Sequence, residues 1–375
     1  MAGIYIHIPF CRQACHYCNF HFSTNHSQKD ILLAALNKEI ALTHPIDPNE
    51  TIDTIYFGGG TPSLLTATEL EATLQAVKNK FIVNPHAEIT LEANPDDVGP
   101  AVLQTWLRSG INRLSLGIQS FNEAELKWMN RAHNATQSLQ SIDDILAAGF
   151  TNFSVDLIYG SPLLSNEEFE KNVNIIIEKN IPHISCYALT VEEKTALHHL
   201  IEKKKSLPVD EARQAEQFQL LLKLTEAAGY EQYEISNFAK PSYRSKHNSS
   251  YWQGKPYYGF GPSAHSFNGI NKRQWNIANN ALYIQSIEKG IIPFEEELLT
   301  PTQELNEYIM ISLRTMEGID LSVVANRFGK DKVDIINDTA GTFISGQLLL
   351  QNNERLRLTK AGKFLADGIA AELFF

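Results

Sequence analysis

Through its first 230 residues the chain alternates short, β-branched apolar runs with longer stretches whose apolar positions recur every three or four residues. The runs Ile4–Ile8, Ile52–Phe57, Glu88–Ala93, Arg113–Gly117, Phe153–Ile158 and His183–Leu189 read as strands. Helical periodicity fills the gaps near Ile31–Leu42, Thr68–Lys80, Pro100–Ser109, Thr136–Ala148 and Glu167–Lys179, with another helix near Asp210–Ala228. Gly110 and Gly149 fall where two of these helices should stop. Strand and helix in regular alternation predict an α/β fold, a parallel sheet with helices outside, curved into a partial, TIM-like (β/α)6 barrel. Six units fall short of a closed barrel, so an open side is left for another part of the chain to cover.

The periodicity fades after residue 235. Residues 236–300 are rich in aromatics, Gly, Asn and Ser, and contain KHNSSYW and YYGFGPSAHSF. A stretch of this length without regular pattern reads as an ordered functional loop region. From Pro301 the pattern returns as three helices and then LLLQNNERLRLT, two strands around an Asn-Asn turn, a smaller helical, winged-helix-like domain. The expected division is therefore 1–235, 236–300 and 301–375.

Charge and composition narrow the class. With 43 Asp+Glu against 32 Lys+Arg the formal net charge is −11, which argues against nucleic acid as a partner. The last 75 residues are acidic too, so their winged-helix pattern does not imply DNA binding. An apolar content of 43% supports a sizeable core. No run approaches the about 18–20 apolar residues of a transmembrane segment, and no signal peptide opens the sequence, so a cytoplasmic protein is expected.

Chemistry concentrates in YIHIPFCRQACHYCNFHF, where Cys11, Cys15 and Cys18 have the spacing C-x3-C-x2-C, while Cys186 stands alone in an apolar strand. A disulfide scaffold is improbable in a long cytosolic chain. Three clustered thiolates suit zinc, with His16, His21 or His26 as fourth ligand, or a [4Fe–4S] cluster with one iron left open. After the second strand comes Gly58-Gly59-Gly60-Thr61-Pro62, a loop without side chains that lets the backbone approach a small charged ligand, or simply a tight turn. Glu92, Gln119 and Asp156 lie at the ends of the third, fourth and fifth strands, where barrel logic gathers functional groups; singly, each also reads as a solvated strand-end residue. Arg131 in MNRAHN suits a carboxylate, or an exposed helix cap. Tyr5 lies on the first strand, six residues before Cys11.

The cysteine spacing, with Tyr17 just before the last cysteine, resembles the signature of the radical S-adenosylmethionine (SAM) superfamily. That resemblance implies a [4Fe–4S] cluster on Cys11, Cys15 and Cys18, with SAM chelated at the open iron. LEANP, GIQSF, NRAH, DLIYG and HNSSYW, in this order, are similar to one branch, the oxygen-independent coproporphyrinogen III oxidases and the related HemW family of haem chaperones. The resemblance implies that Tyr5, Gly59 and Glu92 meet the cluster-bound SAM, and that Gly60, Thr61, Gln119, Arg131 and Asp156 meet a second SAM.

Two departures favour the chaperone side. The oxidases carry a further cysteine two residues after the third, where this chain has Asn19 and then Phe20; they also carry an extension before the cluster loop, where only ten residues stand here. HNxxYW resembles the chaperones and implies His247 as axial haem ligand, shielded by Tyr251 and Trp252. Cys186 reads as a buried core thiol, with haem ligation as its alternative, and His265, in GFGPSAHSF, as a residue that shapes a loop rather than ligates iron. The expected function is haem delivery to acceptor haemoproteins, respiratory ones among them, by a homodimer with no assigned catalytic residue. The competing readings are radical decarboxylation of coproporphyrinogen III and a zinc-dependent regulator.

Overall fold

A computed structural model describes residues 2–375. Six parallel strands lead: β1 (Ala2–Ile8), β2 (Thr51–Gly59), β3 (Ile82–Ala93), β4 (Arg113–Gln119), β5 (Phe153–Tyr159) and β6 (His183–Ala188), neighbours in that order. Their crossovers carry α1 (Lys29–Leu42), α2 (Ala67–Lys80), α3 (Pro100–Arg108), α4 (Glu123–Trp128), α5 (Ala135–Ala147) and α6 (Asn166–Glu178). The partial (β/α)6 barrel is thus present, with helix starts set by local chemistry. Thr66, Asn134 and Ser165 each close a capping box with the Glu or Gln three residues on.

The two faces of this sheet differ in kind. Ile4, Ile6, Ile55, Phe57, Leu91, Leu114, Leu116, Val155, Leu157 and Ile184 are buried in one apolar core with the helices. Alternate positions are polar and face the lumen. Tyr5, Tyr56, Thr90 and Arg113 follow one another across β1–β4, and Glu92, Ser115, Ser154 and His183 do so across β3–β6. Cys186 lies in the apolar core and is 2% exposed, as expected of a core thiol.

After α7 (Ala196–Glu202) and α8 (Glu211–Ala227), β7 (Glu231–Gln232) and β8 (Asn237–Ala239) extend the β6 edge antiparallel. HNSSYW, expected in an irregular loop, instead forms α9 (Lys246–Trp252). The helix is too short to show a period, and it is held by its ends. Ser245 caps it by accepting from Asn248 N, and buried Glu88 accepts from the backbone N–H groups of Lys246 and His247.

The remainder of the aromatic region is also regular. β9 (Tyr257–Phe260) pairs parallel with β1, and β10 (His265–Phe267), β11 (Lys272–Asn276) and β12 (Phe294–Leu298) continue antiparallel, with α10 (Asn280–Glu288) before β12. The open side of the barrel is thereby prolonged into a twelve-stranded sheet.

The C-terminal unit comprises α11 (Pro301–Leu313), β13 (Ile319–Asp320), α12 (Leu321–Phe328), α13 (Lys330–Ser345), the hairpin β14 (Leu349–Asn352) and β15 (Arg355–Leu358), and α14 (Lys360–Lys363) and α15 (Ala366–Glu372). These helices and a small three-stranded sheet surround a separate core containing Leu305, Ile309, Leu313, Val324, Ile336, Leu356 and Ile369, the winged-helix-like arrangement expected, with α14 and α15 added after the hairpin. Among the described residues no helix is long and apolar enough to cross a membrane.

Candidate functional site

At the C-terminal mouth of the parallel strands lies a cavity of about 420 Å³. Cys11, Cys15 and Cys18, Gly59, Gly60, Thr61, Glu92, Gln119, Arg131 and Asp156 all line it. Of the residues expected to meet the cluster or SAM, only Tyr5 stands outside its wall; the haem candidates His247, Tyr251 and Trp252 stand outside it too.

The three cysteines are free thiols, half-buried on the loop after β1. The loop has no regular structure of its own, and its neighbours hold it. Cys11 N donates to Ser23 O, Ser23 N to Pro9 O, and His16 N to Met129 O. Gln13 donates to Asn130 and Asn130 Nδ2 to Ala14 O, tying the loop to the α4–α5 connection. Burial pushes the Cys18 thiol up to about 11 and raises Cys11 as well, so without iron both keep their protons at neutral pH.

A zinc ion needs its ligand atoms drawn tightly around one centre. Among the described residues, only His198, His199 and Glu202 bring three ligand atoms within 4.8 Å of one another; the three thiols stand farther apart. The proposed fourth ligands are also engaged: His16 Nδ1 lies 2.7 Å from Trp128 O, His21 Nε2 2.7 Å from Asn280 Oδ1, and His26 Nε2 3.0 Å from Cys11 O. Three soft sulfurs spread around one cavity fit a multi-iron cluster better than one small ion.

The glycine loop does more than admit a ligand. Gly60 N donates to Ile8 O at 2.9 Å and Thr61 N to Phe10 O at 2.7 Å, clamping the second loop onto the first. A Cβ on Gly60 would come within 2.6 Å of Phe10 O. Gly59 has φ +104°, and a Cβ there would lie 2.6 Å from the His7 ring.

The polar groups converge through strand register. Tyr56 donates to Glu92 Oε1 at 2.8 Å, and burial pushes Glu92 up to about 7, with the nearby Asp156 charge adding to the shift. Burial likewise pushes Asp156 up to about 6, against hydrogen bonds from Ser185 and Ser115. Arg131 is not an exposed cap. It donates to Cys15 Sγ at 3.2 Å, to Asn94 Oδ1 at 2.7 Å and to Gly117 O at 2.6 Å, bridging the cluster loop and β4. Gln119 has φ +69°, a strained left-handed turn where β4 ends. Asn94, Ser115 and Tyr56 were not singled out from the sequence. For Tyr56 and Ser115 the signal was the alternation along the strands, and for Asn94 the turn that follows β3.

His247 departs from expectation. α9 plugs the opposite end of the lumen, and His247 is 1% exposed, stacked on Tyr56 at 4.9 Å between ring centroids. Nδ1 lies 2.8 Å from Thr54 Oγ1 and Nε2 2.9 Å from Tyr251 Oη. Burial lowers its pKa to about 3, so the ring is neutral, but neither nitrogen is free for iron. The short helix carries its second residue inward, where the sequence suggested a loop.

Tyr251 and Trp252, by contrast, face a second cavity of about 910 Å³ between α9, β9–β11 and α11. Tyr5 also lines this cleft, while its ring packs beside Gly58 and Tyr56, so it stands in the partition between the two cavities. His265 lies in the same cleft on β10, exposed, and is part of a strand rather than of a shaping loop.

A partial barrel with three cysteines after its first strand, a glycine loop after its second and carboxylates on its third and fifth defines a radical SAM protein. The profile of the radical SAM superfamily matches residues 5–176, and that of the HemN C-terminal domain matches residues 299–365. The chain is 32% identical to the heme chaperone HemW of Mycobacterium tuberculosis, covering 99% of this chain and 94% of the relative. It is 32% identical to HemW of Bacillus subtilis, covering 98% of each. The chain belongs to the HemW family. In fold it is also similar to coproporphyrinogen III oxidase (HemN) from Escherichia coli, with TM-score 0.86 at 22% identity over 100% of this chain and 90% of that one.

Proposed function

We propose that the chain binds haem and delivers it to acceptor haemoproteins, on a core that holds a [4Fe–4S] cluster through Cys11, Cys15 and Cys18 and SAM at the cluster's open iron. The observation that carries this reading is likeness over 98–99% of the chain to proteins named heme chaperone. Asn19 and Phe20, where the oxidase pattern has its further cysteine, support the same branch.

When bound, the cluster supplies the electron that splits the sulfonium bond of SAM. The chain's own residues position and tune. Gly59 and Glu92 serve the cluster-bound SAM, with Tyr5 behind them, and Gly60, Thr61, Gln119, Arg131 and Asp156 serve a second. Glu92 and Asp156, raised by burial, ionise fully when a cationic ligand arrives. Arg131 braces Cys15 and lends positive charge to a thiolate. The barrel (1–235) carries this site, the segment 236–300 the HNxxYW helix, and 301–375 the winged-helix-like unit.

The test is anaerobic incubation of cluster-loaded protein with coproporphyrinogen III, SAM and a reductant, beside a haem titration. The expected result is haem binding with no turnover of the porphyrinogen. Protoporphyrinogen formed over many turnovers would overturn the chaperone reading in favour of the decarboxylase.

A further inference from the structure

We propose that haem sits in the cleft between α9, β9–β11 and α11, with His265 as the axial ligand to its iron and Arg273 holding a propionate. This rests on the haem-binding reading above and adds the place and the ligand.

The cleft is the larger of the two cavities, and its about 910 Å³ lies at the upper end of the range for small-molecule sites. Haem asks for flat apolar contact on two faces, a nitrogen or sulfur ligand at the centre and cations at one edge. All three are present. Tyr251, Trp252, Tyr257 and Phe267 give one aromatic wall, and Tyr308 and Ile311 on α11 face it. The aromatic wall is braced: Tyr251 meets Tyr257 edge-on at 4.6 Å, and Arg314 lies 5.7 Å over the Trp252 ring. Arg244, Arg273, Arg327 and Arg355 reach the cleft, against Glu304, Glu307 and Glu317. Each arginine now pairs with a carboxylate, Arg273 with Glu307, Arg327 with Glu304 and Arg355 with Asp320, so a propionate exchanges for or joins a pair already formed. Arg273 is placed best, two residues before Trp275 on the strand paired with β10.

Among the described residues, His265 is the only imidazole lining the cleft. Its ring stacks on Trp275 at 6.0 Å and 28°, which fixes its plane while leaving its edge free. Its side chain forms no hydrogen bond with any described residue, the reverse of His247. Partial desolvation by the cleft wall and the neighbouring Arg273 lower its pKa, favouring the neutral imidazole that a metal ligand must be. The HNxxYW helix thus contributes through its last two residues: His247 fixes Tyr251, and Tyr251 and Trp252 form the wall.

The experiment is an anaerobic haemin titration of the full chain, read by the Soret spectrum and by affinity. His265→Ala should lower affinity at least tenfold and lose the histidine-ligated spectrum, and added imidazole should restore that spectrum. His265→Gln should behave as His265→Ala does, and Arg273→Gln should weaken binding several-fold with the spectrum unchanged. Wild-type protein that binds haem while His265→Ala keeps both affinity and spectrum would overturn the placement and leave haem binding standing. A folded His247→Asn protein that alone loses the ligated spectrum would overturn it too. Wild-type protein that binds no haem would instead overturn the reading beneath.

Discussion

The two cavities are built in opposite ways. The mouth of the barrel takes its chemistry from short motifs at the ends of consecutive strands, and its distances follow from parallel register. The cleft takes its wall from α9, the β9–β11 ribbon and α11, segments that pattern alone does not bring together. A polar chain also links them across the lumen: Tyr56 donates to Glu92 and stacks on His247, whose Nε2 meets Tyr251 at the edge of the cleft. The difference teaches that a motif's residues need not act together. Within HNxxYW, the histidine packs the barrel while the aromatics line the cleft.

The sharpest break of the comparison is at the cysteines. Cys15→Ala should lose essentially all iron and sulfide on reconstitution, with little change in unfolding midpoint because the thiol is only half-buried. Iron and sulfide analysis checks the loss, and a fully loaded variant contradicts it.

The two histidines come next. His247→Ala opens a cavity and strands Thr54 Oγ1 and Tyr251 Oη, so it should cost about 3 kcal/mol in urea unfolding. His265→Ala, exposed and without hydrogen bonds, should cost less than about 0.5 kcal/mol. Equal costs would contradict the contrast between a buried, hydrogen-bonded His247 and an exposed His265.

Acid should then expose the buried imidazoles. Burial depresses His247 to about 3, His133 to about 3 and His7 to about 4. Unfolded histidines titrate near about 6.5, so the unfolded chain binds more protons below that pH. Their stabilisation is complete above about 6.5 and is lost as the pH falls toward 3. Urea midpoints at pH 7.5 and 5 should show the decline, and His247→Asn should flatten it.

The smallest effect lies at the mouth. Glu92 and Asp156 ionise near 7 and 6, so SAM, a cation at its sulfonium, should bind several-fold more tightly at pH 8 than at pH 6. Equilibrium dialysis measures this, and Glu92→Gln should remove most of the slope.

Much of the barrel was legible because parallel strands and amphipathic helices each carry their own period. Helix starts at Thr66, Asn134 and Ser165 were written locally as capping boxes. The cysteine and glycine loops were legible because their chemistry tolerates few residue types. What escaped depends on distant partners. α9 forms because Glu88, some 160 residues earlier, accepts its first backbone donors. β9 regularises an apparently loose aromatic segment by pairing with β1. The side chain of Arg131 turns to Cys15 because Asn94 and Gly117 hold its other arm.

The most direct test of two separate sites is a haem titration of the Cys11→Ala/Cys15→Ala/Cys18→Ala protein beside the cluster-loaded wild type. Stoichiometric haem binding with an unaltered histidine-ligated spectrum is the predicted result, in protein that holds no iron–sulfur cluster. Loss of haem binding from that variant while it remains folded would contradict it, and would place the porphyrin at the cluster instead.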